Sequence, residues 1–202
     1  MAVIRRMPKY YRYLDELYQN GIQKISSRAL AEQMGLTASQ IRQDFNCFGG
    51  FGQQGYGYNV DTLREQVASI IGIDRVHSAV ILGVGNIGRA LIRNFNFTQC
   101  GFKLLSAFDT DTSIVGDVIH QIPVLHIDEM DKFIRENKVE VAILTVPSPY
   151  AKATAERLCD LGIKGIWNFT NVELQIKNPS VTVENVHFSD SMMTLCYQIS
   201  ED

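Results

Sequence analysis

The chain has 202 residues, 46% of them hydrophobic and 20% charged, with a formal net charge of -3. This is the composition of a folded globular protein of one large domain or two small ones. A membrane span is excluded, because no apolar run approaches the ~18 residues required, and the opening MAVIRRMPKYYRYLDEL is too polar for a signal peptide.

Cys47, Cys100, Cys159 and Cys196 stand far apart with no C-x-x-C pair. Disulfides and a zinc site are therefore disfavoured, and a cytoplasmic protein with reduced thiols is expected. Charge is unevenly spread. Residues 1–45 carry seven Lys or Arg against four acids, a net of +3, which leaves -6 for the remainder. A basic module on an acidic body fits that asymmetry, and so does chance.

Pro8 is expected to open a helix with Tyr11, Leu14, Leu17 and Tyr18 on one face, stopped by Gly21. Ser27 then caps a short helix carrying Leu30, Ala31 and Met34, which Gly35 ends. Thr37-Ala38-Ser39-Gln40 fits a capping box, with the hydroxyl on the N3 amide and Gln40 reaching back. The helix it opens is apolar at Ile41, Phe45 and Phe48. Its other face shows Ser39, Gln40, Arg42, Gln43 and Asn46. Two helices joined by a glycine turn, the second with a polar outer face, read as helix-turn-helix or as any small helical bundle.

Two G-x-G-x-x-G stretches follow, at Gly50, Gly52 and Gly55 and at Gly83, Gly85 and Gly88. A dinucleotide fingerprint follows a strand and opens a helix. The first stretch does the reverse. A helix precedes it, and Tyr56, Tyr58 and Val60 alternate as in a strand. Gly52-Gln-Gln-Gly55 reads as a hairpin tip, the wing of a winged helix. A helix starting at Asp61 or Thr62 and ending at Gly72 closes this module, and residues 72–78 are the domain boundary.

The second stretch meets the test. Ala79-Val80-Ile81-Leu82 is a continuous apolar run, as in a strand buried on both faces. The glycines follow at once, then the helical Arg89-Ala-Leu-Ile-Arg-Asn. Gly83 allows the tight turn, Gly85 the approach of a pyrophosphate, and Gly88 close packing of helix on strand. The phosphates would sit on helix N-terminal amides. A strand from Lys103 to Phe108 ends in Asp109, where an acid would hold the adenine ribose and disfavour a 2′-phosphate. Further α/β units are a helix over 129–137, strand 139–146, helix 150–161 and strand 165–169. Ligands of open α/β sheets lie beyond the strand ends, which selects Thr145, Val146, Pro147, Asn168, Phe169 and Thr170. Residues 189–202 read as a lone amphipathic helix through Met192, Leu195, Cys196 and Ile199. A helix that small needs a surface, such as another subunit.

PKYYRYL (8–14), ISSRALAEQMG (25–35), QIRQDF..FG (40–49), GYGYNV (55–60), GVGNIGRAL (83–91), FDTD (108–111), LTVP (144–147) and GIKGIWNFT (162–170) together resemble the Rex redox-sensing transcriptional repressors over nearly the full length. The resemblance implies an α/β chain in three parts. A winged helix-turn-helix domain covers 1–78, a Rossmann-type doubly wound parallel sheet that binds NAD(H) covers 79–188, and a C-terminal helix swapped onto the partner covers 189–202. It implies a homodimer, no enzyme activity, and an A·T-rich inverted-repeat operator. NADH would close the dimer and release DNA, NAD+ would be compatible with DNA binding, and the released genes would serve NADH reoxidation and fermentation. Gly83, Val84, Gly85, Asn86, Ile87 and Gly88 would hold the pyrophosphate and Asp109 the ribose. Thr145, Val146, Pro147 and Phe169 would line the dinucleotide site. Ser39, Gln40, Arg42 and Gln43 would face the major groove, with Tyr56 and Tyr58 in the wing.

The chain departs from the family pattern where Gln43, Gln53 and Gln54 replace the usual basic residues. Each missing phosphate contact flattens the log–log salt slope of DNA binding by about 0.9. A salt titration of operator binding is expected to show a shallower slope than a relative with a basic wing. Cys47 replaces a usual aromatic and is expected to be a small buried thiol. Asp15 and His187 stand where relatives have a base and an acid, so a pairing between them is expected in one dimer state. Two alternatives stay open. One is a small NAD-dependent dehydrogenase, disfavoured because no Tyr-x-x-x-Lys pair or substrate domain is present. The other is a repressor that takes a different adenylated ligand, such as coenzyme A.

Overall fold

The computed structural model describes residues 2–49, 51 and 57–200. They divide into two compact units, Met1–Arg75 and Val76–Asp202. The division lies between Arg75 and Val76, and the first strand of the second unit begins at His77.

In the first unit, helix α1 (Ala2–Gln19) runs through Pro8 rather than starting there. A proline inside a helix forfeits one backbone hydrogen bond. Tertiary contacts on the preceding turn offset it: Met7 is fully buried, and Arg6 is tied to another helix. Strand β1 (Lys24–Ile25) leads into α2 (Ser27–Met34). Its cap is Ser26 rather than Ser27, with Ser26 Oγ accepting from the Ala29 amide at 3.1 Å. Gly35 ends α2 in the left-handed region at φ 66°, the conformation a side chain disfavours. Helix α3 (Ala38–Asn46) follows at once, capped by Thr37, whose Oγ1 accepts from the Gln40 amide at 3.1 Å.

Strand β2 (Tyr58–Asn59) pairs antiparallel with β1, placing Tyr58 opposite Ile25. Gly57 has φ +73°, and a Cβ there would lie 2.8 Å from the Ile25 carbonyl oxygen, so this close pairing requires glycine. The strand is shorter than the Tyr56–Val60 alternation suggested. Asn59 caps α4 (Val60–Ile71) through a 2.9 Å bond from the Thr62 amide, and Val60 is already helical and fully buried. Gly50, Gly52, Gln53, Gln54, Gly55 and Tyr56 lie outside the described residues. Tyr10 and Leu14 of α1, Leu30 of α2, Ile41 and Phe45 of α3 and Leu63 of α4 share one core.

The second unit alternates strands and helices: β3 (His77–Leu82), α5 (Asn86–Asn94), β4 (Phe102–Asp109), β5 (Val118–Ile119), β6 (Ile122–His126), α6 (Met130–Asn137), β7 (Val141–Leu144), α7 (Ser148–Asp160), β8 (Gly165–Asn168), β9 (Thr182–Asn185) and α8 (Phe188–Ser200). Strands β5, β6 and β9 were not anticipated. The sheet order is β5-β6-β4-β3-β7-β8-β9, with only β5 antiparallel. The chain therefore leaves β3 in one direction and later returns to its other side at β7. That reversal opens a crevice beyond the carboxyl ends of β3 and β7.

The apolar run of β3 is explained by its two packed faces. Ala79 and Ile81 join a cluster with Ile92 and Phe97. Val80 and Leu82 join another with Met130, Ile134, Ala155 and Leu158. Helix α8 has no buried residue. Phe188 is 58%, Met192 63% and Ile199 66% exposed.

Candidate functional site

At the reversal point, β3 ends in a turn whose every residue is held. Gly83 has φ +94°, and a Cβ there would come within 2.9 Å of three backbone atoms of Thr145 and Val146. The Gly83 amide donates to the Phe108 carbonyl at 2.8 Å, and the Thr145 amide to the Leu82 carbonyl at 2.8 Å. Thr145 Oγ1 donates to the Gly83 carbonyl at 2.6 Å and lies 3.0 Å from that of Leu82. Gly88 packs so closely that a Cβ would overlap the Gly83 carbonyl oxygen. Arg89 completes the brace, its Nε donating to the Val84 carbonyl at 2.9 Å.

Helix α5 starts from this turn without a side-chain cap, and Gly85, Asn86 and Ile87 are exposed. The first amides of a helix lack intrahelical partners and carry the positive end of its dipole. Here they face outward from a rigid glycine turn, which is a site for phosphate oxygens. A Cβ on Gly85 would meet nothing within 4 Å, so space remains for a ligand there.

Asp109 stands beside the turn at the end of β4. Its Oδ2 accepts from the Val84 amide at 2.6 Å, and its Oδ1 from the Thr110 and Asp111 amides at 2.7 and 3.0 Å. A carboxylate has about four acceptor positions, so one stays free for a ribose hydroxyl. Half-buried Val146 and exposed Pro147 continue from β7. Phe169 is buried, its ring edge-on to Trp167 at 4.5 Å and tilted against Phe188 at 6.0 Å between ring centroids.

The structure thus brings Gly83, Val84, Gly85, Asn86, Ile87, Gly88, Asp109 and Thr145 together, with a shift of emphasis. The Thr145 hydroxyl points into the glycine turn and braces it. Asn168 and Thr170 are also turned inward. Asn168 Nδ2 donates to Val172 O and to Asn185 Oδ1, each at 2.8 Å, and its Oδ1 accepts from the Thr170 hydroxyl at 2.7 Å. These two residues hold the loop after β8 in place.

In the first unit, Ser39, Arg42, Gln43 and Asn46 of α3 are exposed, and Arg42 Nη1 donates to Ser27 Oγ at 3.2 Å. Tyr58 is half-buried, its ring edge-on to Phe45 at 5.3 Å, and burial pushes its hydroxyl pKa up. It packs against the core of the first unit more than it reaches outward. Tyr56 lies outside the described residues. Cys47 is exposed, correcting the expected buried thiol, because its turn lies past the last buried position of the helix.

Gln40 does not complete the capping box. Its Nε2 donates instead to Asp44 Oδ1 at 2.8 Å, one turn on. Asp44 is fully buried and accepts three further bonds: Arg6 Nε and Tyr10 OH on Oδ2, and Arg6 Nη2 on Oδ1, all at 2.7 Å. Burial by itself would raise the Asp44 pKa. The Arg6 fork, then Tyr10 and Gln40, outweigh that and hold it below the usual carboxylate range. Sequence reading missed this cluster, although one signal was present. Asp44 falls between Ile41 and Phe45 on the apolar face of α3, and a carboxylate there demands partners.

Asp15 and His187 each have a partner within their own unit. Asp15 Oδ1 accepts from Arg64 Nε at 2.7 Å, and Arg64 also lies over the Tyr18 ring. His187 Nε2 pairs with Glu173 at 2.7 Å. Among the described residues no cluster of His, Cys, Asp or Glu suits a metal ion, and no helix is long and apolar enough to cross a membrane.

Comparison with known proteins agrees with this two-site layout. A family profile described as a putative DNA-binding protein N-terminus matches residues 1–46, and one described as a CoA binding domain matches residues 74–172. The redox-sensing transcriptional repressor Rex of Thermoanaerobacter sp. (strain X514) is 47% identical over 202 residues, covering 100% of this chain and 90% of that protein. The Rex of Caldicellulosiruptor saccharolyticus is 49% identical over 201 residues, 100% of this chain and 91% of that protein. The crystal structure of RSP in complex with β-NAD+ and operator DNA superposes with a TM-score of 0.93 at 47% identity, covering 100% of this chain and 92% of that one. RSP in complex with β-NADH gives 0.91 at 44% identity, covering 100% and 94%.

Proposed function

The chain belongs to the Rex family of redox-sensing transcriptional repressors, and from that premise we propose how its own residues bind DNA and sense NADH. It is a regulator and not an enzyme. The observation that carries the reading is the uncapped N-terminus of α5 on a braced glycine turn, in one chain with an exposed recognition-type helix. Gly83 to Gly88 hold the pyrophosphate and Asp109 the adenosine ribose. Val146, Pro147 and Phe169 line the nicotinamide half. The apolar character of those three residues favours the uncharged reduced ring, because the oxidised ring would lose hydration there. The first unit binds DNA through Ser39, Gln40, Arg42 and Gln43, with the wing beside them.

A ligand shifts a two-state equilibrium only by its difference in affinity for the two states. NADH therefore favours a closed dimer that releases the operator, by about 1.4 kcal/mol for each tenfold loss of DNA affinity. NAD+ leaves the DNA-binding state populated. Released genes serve NADH reoxidation and fermentation, and the protein works in the cytoplasm, where its DNA is. The test is fluorescence anisotropy on an A·T-rich inverted repeat, with NADH titrated alone and then in excess NAD+. Release by NADH that NAD+ opposes supports the reading. Indifference to both would sink the redox half of it.

The match to a CoA binding domain favours testing one second ligand. Coenzyme A in the same titration is expected to leave the DNA complex intact. Release by coenzyme A and not by NADH would reassign the site.

Helix α8 supports a homodimer. Its exposed Phe188, Met192, Leu195 and Ile199 need cover, and isolated helices of this length are unstable in water. An apolar groove of about 300 Å³ lined by Phe95, Phe97, Val141, Ile143 and Trp167 lies open on the sheet of the same unit. We assign residues 189–202 to the partner subunit as a swapped helix. Leu195→Asp is expected to give a monomer by sedimentation and to weaken operator binding about a hundredfold, since the second half-site then binds independently.

A further inference from the structure

We propose that Gln40 reads the exocyclic amino group of a single adenine or cytosine, because Asp44 turns its amide with the carbonyl oxygen outward. The inference rests on the DNA-binding reading above and deepens it.

A glutamine on a recognition helix is ordinarily ambivalent. It presents an acceptor and a donor, and a half-turn about its last torsion exchanges them. Gln40 lacks that freedom. Its Nε2 donates to Asp44 Oδ1 at 2.8 Å. Asp44 is fully buried and takes a two-pronged bond from Arg6, which keeps it ionised. An ionised carboxylate only accepts hydrogen bonds. If the amide turned over, its oxygen would face the carboxylate oxygen, acceptor against acceptor, and that face would lose a bond. The nitrogen therefore stays inward. Oε1 is left without a protein partner among the described residues.

The direction matters because of where Gln40 stands. It is in the first turn of α3, between the exposed Ser39 and Arg42. Recognition helices touch base edges with their N-terminal residues. In the major groove only adenine N6 and cytosine N4 offer a donor to an outward oxygen. Guanine O6 and N7 and thymine O4 are acceptors. A fixed outward acceptor thus welcomes adenine or cytosine and repels guanine or thymine at one position of each half-site. Adenine gains further if the second amide N–H reaches N7. Asp44 is the positioning residue, and it touches no base.

The experiment uses the full-length protein and a duplex operator. Each adenine of one half-site is replaced in turn by purine riboside, which lacks the 6-amino group. Each cytosine is replaced by its analogue lacking the 4-amino group. Wild type is expected to lose about five- to tenfold in affinity at one position that Gln40→Leu no longer senses, the scale of one base-edge contact. Gln40→Leu keeps the Arg6 and Tyr10 bonds to Asp44, so its fold is retained. Asp44→Asn, whose amide can donate as well as accept, is expected to let Gln40 turn over and to reduce discrimination against guanine at that same position. If Gln40→Leu keeps every amino-group dependence of wild type, the inference is overturned while operator binding and NADH release stand. If wild type binds no operator, the DNA reading falls and takes the inference with it.

Discussion

Gly85→Ala is expected to fold with nearly the stability of the parent chain and to bind NADH at least tenfold more weakly, whereas Gly88→Ala is expected to lose the stability of the second unit. The two glycines belong to one motif but answer to different constraints. Gly85 has φ -72°, which any residue adopts, and a Cβ there meets nothing within 4 Å. Its replacement costs the folded chain about 1 kcal/mol or less, as a less favoured helix cap. What it removes is the close approach of backbone to a pyrophosphate.

At Gly88 a Cβ would fall on the Gly83 carbonyl oxygen and lie 3.1 Å from Thr145 Oγ1. That carbonyl is itself held by the Thr145 hydroxyl at 2.6 Å. The clash is with backbone, so it cannot be relieved by a rotamer change, and about 3 kcal/mol or more is at stake. Urea unfolding and NADH titration by fluorescence separate the two effects. Equal NADH affinity in Gly85→Ala and wild type would remove the pyrophosphate from this turn.

Asp44→Ala is expected to destabilise the first unit by about 1–3 kcal/mol, the scale for leaving a buried polar group such as the Tyr10 hydroxyl without its acceptor, and to abolish operator binding. NADH binding by the second unit is expected to survive. The substitution leaves Tyr10 OH buried without its acceptor and strips Arg6 of its counter-charge. It also removes the polar tie between α1 and α3, while the packing of Tyr10 on Phe45 remains.

The same carboxylate predicts a pH dependence. Its folded pKa is depressed below that of the unfolded chain. Its contribution is therefore fully present above the unfolded value near 4 and is lost as pH falls through the folded value. Acid unfolding of the first unit is expected to begin below about pH 4 in wild type. Asp44→Ala, already destabilised, is expected to lack that contribution to the acid limb. Unfolding followed by circular dichroism across pH 2–7 measures both. An unchanged acid limb in the variant would show that Asp44 does not carry it.

Elements were legible in the sequence where a local rule decides them. The cap at Thr37, the left-handed stops at Gly35 and Gly72 and the strand–glycine–helix order at 79–94 all follow from spacing within a turn or two. The dinucleotide-type turn was readable because its glycines answer to backbone contacts that only glycine allows. Strands β5, β6 and β9 were not legible. Their strand character comes from pairing with neighbours in the sheet, β5 and β6 with each other and β9 with β8.

The sequence by itself determined the division of labour, a helical module with a polar helix face followed by a phosphate-cradling α/β module, because hydrophobic period and glycine spacing are local properties of the chain. Only the tertiary structure decided that α1 runs through Pro8, that Thr145 braces the glycine turn, and that Arg6 and Tyr10 hold the buried Asp44. Those outcomes depend on partners far away in the chain, 38 residues between Arg6 and Asp44 and 62 between Gly83 and Thr145. No local period encodes such meetings. They exist because burial of a charged or polar group is tolerated only where the fold brings its partner to hydrogen-bond distance.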